Sequence, residues 1–261
     1  MIVVGLHFPS IKGLFDWRGL AFKGTPFEIN KTVLLLWITV ALVAATFLVA
    51  ARRRELVPTG IRNLVEAGLE FVERSIAREA MGPEGAAWVP FLTTLFFFIL
   101  VLNLWEIVPL VQFPPTSRMA VPMYLAIQTW VLFIAVGIRT QGPWQYFKNS
   151  LFPPGVPKAL YILVVPIEFF SVFLVQPFSL AIRLFANMMA GHLLLVAFYM
   201  IAAALWTKSL AIFLLPLPVA TAIALTGFEL LVGALQAYIF TILTAVYIGQ
   251  SIHPAHEEVI G

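Results

Sequence analysis

The chain has 261 residues, of which 61% are hydrophobic and 11% charged, with a formal net charge of +3 and no cysteine. A mean hydropathy of +0.96 excludes an ordinary soluble domain and marks a polytopic membrane protein. The lack of cysteine excludes disulfides and thiolate metal sites, and arginines set beside apolar spans rather than in a stripe speak for membrane orientation and against nucleic acid.

Residues 1–31 form a tail with Pro9, Asp16 and Glu28 ahead of the first apolar run. It has neither the secretory pattern nor the Arg/Ser-rich transit pattern, so no cleaved targeting peptide is expected. Gly19 and Gly24 have the spacing of a phosphate loop, but Thr25 stands where lysine is required.

Residues 32–51 are charge-free and long enough for one upright transmembrane helix, ended by Arg52, Arg53 and Arg54. Residues 61–80 read as an amphipathic helix. Ile61, Leu64, Val65, Leu69, Val72 and Ile76 share one face, and Arg62, Glu66, Glu70, Glu73 and Arg74 the other. That pattern fits a helix lying on the membrane, one against a partner, or a packed connector. Residues 86–110 and 119–138 are two further upright spans, the first with Asn103, Trp105 and Glu106 near its exit.

Arginines and lysines after the first and third spans (Arg52, Arg53, Arg54, Arg62, Arg74, Arg78; Arg139, Lys148, Lys158) outnumber those on the other side (Lys12, Arg18, Lys23, Lys31; Arg118, Lys208). The N-terminus is therefore expected outside, and after five spans the C-terminus inside.

Two stretches are too long to stand upright. Residues 159–205 would extend about 70 Å as one helix, and 210–252 about 65 Å, against a hydrocarbon core of roughly 30 Å. Each is either two helices with a hidden turn or one long, strongly tilted helix. The Leu/Ala/Met-rich surroundings of Arg183 favour the single helix, because a hairpin needs turn residues there. Pro166 and Pro177 read as kinks.

Arg183 is a permanent charge in an otherwise apolar run. Intramembrane arginine costs about 2.5–3.5 kcal/mol on insertion scales and more in simulations, so it marks a functional site by default. At 100° per residue, Gln176, Ser179, Asn187 and Ala190 lie within about 40° of it. A polar, small-residue face of this kind suits a surface past which another helix slides, or a static helix contact with a buried ion pair. His192 falls on the opposite side. On the last stretch Glu229, Gly233, Gln236 and Phe240 share a face, and Glu229 is its lone charge. Together with Glu168, these groups supply what a proton relay requires.

No His-Glu-x-x-His motif and no nucleophile elbow is present. His253, His256, Glu257 and Glu258 make a poor metal set in a solvated tail, and no cofactor is expected.

The segment Leu180-Ala-Ile-Arg183-Leu-Phe-Ala-Asn187-Met-Met-Ala-Gly191-His192, with Leu235-Gln236-Ala-Tyr-Ile-Phe240, closely resembles subunit a of F-type ATP synthases. The likeness extends loosely to Asn103-Leu-Trp-Glu-Ile-Val-Pro109. It implies an all-α membrane stator with three upright helices, a surface amphipathic helix and two long tilted helices. Its implied partners are a ring of small c-type hairpin subunits carrying membrane carboxyl groups, b-type peripheral-stalk subunits, lipid and protons.

By the same resemblance Arg183 matches the essential arginine, Asn187 the polar residue one turn on, and Gln236 the glutamine facing the arginine. His192 and Glu229 match a pair lining one half-channel. Many relatives place an acid 14 residues before the arginine; Glu168 is 15 before it, and Gln176 lies between them on the arginine's face. A proton-coupled secondary transporter is the alternative reading, but it expects internal repeats that this sequence lacks. A bacterial plasma membrane is favoured over a mitochondrial inner membrane.

Overall fold

The computed structural model describes residues 28–52, 60–108, 111–152, 156–206 and 210–252. The rest of the N-terminal tail, Arg53 and Arg54, Pro109 and Leu110, and the terminal His253, His256, Glu257 and Glu258 lie outside the described residues. Among them every extended regular element is a helix, and five helical stretches are long and apolar enough to cross a membrane.

Helix α1 (Lys31–Arg52) starts where Asn30 Oδ1 accepts the Val33 N–H at 3.1 Å, an N-cap bond that satisfies one free helical donor. It buries Leu35, Thr39 and Val43 and turns Trp37, Val40 and Leu48 outward. Helix α2 (Ile61–Val72) continues through a π-helical turn, Glu73–Ala77, to Met81. It buries Val65 and Val72, leaves Ile61 and Leu64 exposed, and carries the i,i+4 ion pairs Arg62–Glu66 and Arg74–Glu70 on its polar side.

Helix α3 (Val89–Leu104) is apolar all round, as befits a helix at the centre of the bundle. It stops short of residue 110, where the apolar run ends. Residues 105–107 form a turn, and Pro109 disfavours helical geometry in the residue before it. Polar ties fix this end. Asn103 Nδ2 donates to the Gly233 carbonyl (3.0 Å), Thr116 Oγ1 donates to Asn103 Oδ1 (2.9 Å), and the Trp105 indole donates to Thr39 Oγ1 (2.8 Å).

Helix α4 (Ala120–Gln141) leads through Gly142, at φ 82°, directly into the short helix α5 (Pro143–Leu151). The left-handed backbone at Gly142 makes that abrupt change of direction accessible. Tyr146 of α5 is pressed against Gly137, and this burial raises its phenol pKa.

Helix α6 runs unbroken from Tyr161 to Leu205, with no turn at Arg183. One π-helical turn, Ser171–Val175, interrupts its α-helical ladder. Helix α7 (Pro216–Ile252) packs antiparallel to it. The core is the interior shared by α3, α4, α6 and α7, with Leu92 and Ile99, Leu125 and Phe133, Leu180 and Leu184, Phe240 and Ile248, joined by Val72 and Ile76 from the end of α2 and its π-turn. Gln141 Nε2 donates to the Ser251 carbonyl (2.8 Å), tying the end of α4 to the end of α7.

Candidate functional site

Arg183 is placed by its neighbours. Leu180, Ala181 and Leu184 are buried against α3, α4 and α7, and Met188 is buried as well, which leaves the opposite face of α6 on the outside of the bundle. Ser179, Arg183, Ala186, Asn187 and Ala190 are all exposed there. Around them the outer surface is apolar, with Leu174, Val175, Phe178 and Ile182 exposed. Among the described residues Arg183 has no ion pair; Tyr247 of α7 lies within its electrostatic reach.

One helical turn along, Asn187 Nδ2 donates to Gln236 Oε1 at 2.8 Å. Gln236 is 1% exposed, and its Nε2 has no hydrogen-bond partner among the described residues. This bond couples α6 to α7 beside the arginine. Gln176 and Glu168, toward the start of α6, are half-buried.

The second cluster lies elsewhere. His192 is buried on the side of α6 facing away from Arg183, and its Nδ1 stands 3.4 Å from Glu106 Oε1. Glu229 of α7 is buried against the Gly191 backbone: a Cβ there would fall 2.6 Å from Glu229 Oε1. Glu106 lies within electrostatic reach of Glu229. Both Glu229 oxygens and Glu106 Oε1 lack hydrogen-bond partners among the described residues.

A cavity of about 90 Å³, larger than one water requires, opens beside them and is lined by Glu106, Gln112, His192, Tyr199 and Thr226, among others. Phe113, 1% exposed, stands edge-on to His192 at 6.3 Å, with Lys31 and Arg118 over its ring.

The polar groups therefore fall into three places along the bundle. The Glu106–His192–Glu229 cluster lies toward the end where α1, α4 and α7 begin. Glu168 lies toward the end where α6 begins and α4 and α7 finish. Arg183 stands between them. Glu106 is the member that sequence reasoning left without a role. Its signal was an isolated acid inside an apolar span; what hydropathy could not show is that α3 ends early and folds this acid inward.

Over residues 33–249 the chain matches the family described as the ATP synthase A chain. It is 46% identical over 243 residues to an ATP synthase subunit a of Frankia alni, covering 92% of this chain and 84% of that one. With that of Rhodococcus erythropolis it shares 43% over 251 residues, covering 95% and 90%. With that of a Methylobacterium strain it shares 38% over 251 residues, covering 96% and 97%. The chain thus belongs to the ATP synthase subunit a family, as a multi-pass component of the membrane sector of the F-type complex.

Proposed function

We propose that this chain is the proton-conducting stator of the synthase. It faces a rotating ring of small hairpin subunits with two offset aqueous half-channels and the Arg183 guanidinium between them, while b-type subunits of a peripheral stalk keep it from turning. The observation that carries this reading is the exposure of Arg183 and Asn187 on an outward face that is otherwise small or apolar. A guanidinium cannot shed its charge, and facing acyl chains it would be costly. A carboxylate presented by another chain removes that cost. The small side chains of Ser179, Ala186 and Ala190 let a second helix approach closely.

The length of α6 and α7 supports the same geometry. Tyr161–Leu205 spans about 68 Å at 1.5 Å per residue, more than twice the hydrocarbon core, so both helices lie steeply tilted and follow the wall of a ring.

During synthesis a proton enters from the outside through the chamber of Glu106, His192 and Glu229 and neutralises a ring carboxylate. The neutral carboxyl can turn into lipid without the cost of desolvating a charge. After nearly a full rotation it reaches the second half-channel, past Glu168 and Gln176. There it releases its proton inside, because Arg183 favours its ionised form. The fixed charge also bars a direct proton leak between the half-channels. Asn187 and Gln236, hydrogen-bonded to each other, hold the two helices together at that point. Each charge crossing gains about 2.3 kcal/mol per 100 mV, so only summation over several protons in a rotor can drive ATP formation.

The charge distribution supports an N-terminus outside and a C-terminus inside, and the bacterial relatives support a bacterial plasma membrane. The test is Arg183→Ala in assembled complexes in membranes: proton-driven ATP synthesis is lost. Synthesis at the parent rate would rule the reading out.

A further inference from the structure

Between Glu168 and Arg183 helix α6 departs from α-geometry. Ser171–Val175 make a π-turn, closed by the Gln176 N–H on the Ser171 carbonyl. Such a turn takes up one residue more than an α-turn and leaves a carbonyl off the regular ladder. Pro177, with no N–H of its own, follows directly after Gln176 and removes another donor.

A side chain from a different helix supplies what is missing. Trp130 of α4 donates its indole Nε1–H to the Val172 carbonyl at 3.2 Å. Its ring stands edge-on to Phe173, with centroids 6.1 Å apart and planes at 75°. Phe173 in turn stacks on Phe147 of α5 (6.1 Å, 11°) and packs on Phe169 at 4.9 Å. The π-turn is thus gripped from two neighbouring elements.

We infer that Trp130 is a positioning residue that holds this π-turn and thereby fixes the flank of the Arg183 face on which Glu168 lies. The functional consequence, though not the geometry, rests on Glu168 belonging to the inner half-channel. In an uninterrupted α-helix the separation of these residues would set Glu168 about 60° to one side of Arg183; absorbing one residue sets it about 40° to the other side. Leu180, Ala181 and Leu184 anchor the arginine end in the core, so loss of the π-turn rotates the Glu168 end.

The parent chain contains no cysteine, so Glu168→Cys supplies a single thiol whose labelling by a water-soluble maleimide reports its exposure in assembled complexes. Trp130→Phe, which removes the N–H and keeps a ring, changes that labelling rate several-fold. Adding a deletion of Val172, which shortens the turn to α-geometry while keeping the register, restores the parent rate. With native Glu168, proton conduction falls in Trp130→Phe, recovers in the double variant, and changes its dependence on inner-side pH only.

Unchanged labelling in Trp130→Phe, or no recovery on deleting Val172, overturns the inference. Should Trp130→Phe fail to assemble, the deletion alone decides: parent-like labelling supports the register and shifted labelling refutes it. Labelling that follows this pattern while conduction does not leaves the register standing and removes Glu168 from the proton path.

Discussion

Gly191 shows how narrow the tolerances around Glu229 are. Its missing side chain is where the Glu229 carboxyl lies, 2.6 Å from the place a Cβ would occupy. Because that carboxyl is the tip of a flexible side chain, Gly191→Ala displaces it without breaking the fold. The expected result is normal assembly with slower proton conduction, read as the decay of a pH gradient across vesicles; conduction at the parent rate would mean that Glu229 is not on the path. The pairing of Glu229 and Gln236 on one face of α7 was legible in the sequence, since helical spacing alone assigns faces. The role of Glu106 was not, because side-chain proximity between α3 and α6 depends on where α3 ends. That depends on the hydrogen bonds of Asn103, which the apolar run conceals.

At the scale of elements, Asn103 braces three segments: it donates to the α7 backbone at Gly233 and accepts from Thr116. Asn103→Leu leaves the buried Thr116 hydroxyl without this acceptor, at a cost of about 1–2 kcal/mol. Unfolding of the purified complex in detergent should show that loss; an unchanged midpoint would mean that the brace contributes nothing. The long apolar runs, the amphipathic pattern after the first span and the absence of a turn at Arg183 could all be read from composition and periodicity. The π-turns could not be placed: the one extra residue between Glu168 and Arg183 allowed a bulge or a kink at Pro177 without saying which. A π-turn differs from an α-turn by one residue, and nothing in the 171–175 sequence separates the two; Trp130, far away in the chain, does so through one hydrogen bond. Helix α5 escaped notice for a similar reason. Nine residues between Gly142 and Phe152 are too few for a clear period, and packing of Tyr146 into Gly137 stabilises what propensity leaves marginal.

For the whole molecule, the core lies among α3, α4, α6, α7 and the end of α2, while the outer sides of α6 and α7 expose Ile162, Phe178, Ile223 and Leu231. Surfaces of this kind suit lipid and neighbouring membrane subunits. Within that apolar exterior the strip of Ser179, Arg183, Ala186, Asn187 and Ala190 on α6 is the departure on which the functional reading turns. The chamber of Glu106, His192 and Glu229 and the half-buried Glu168 lie toward opposite ends of the bundle, which is the separation that two half-channels need. What occupies the surface opposite the guanidinium in an intact membrane sector is therefore the most direct measurement. A helix of another chain is expected there, with a carboxyl group brought within a few ångströms of Arg183; acyl chains alone at that position, and no acid in any rotational state, would overturn the stator assignment.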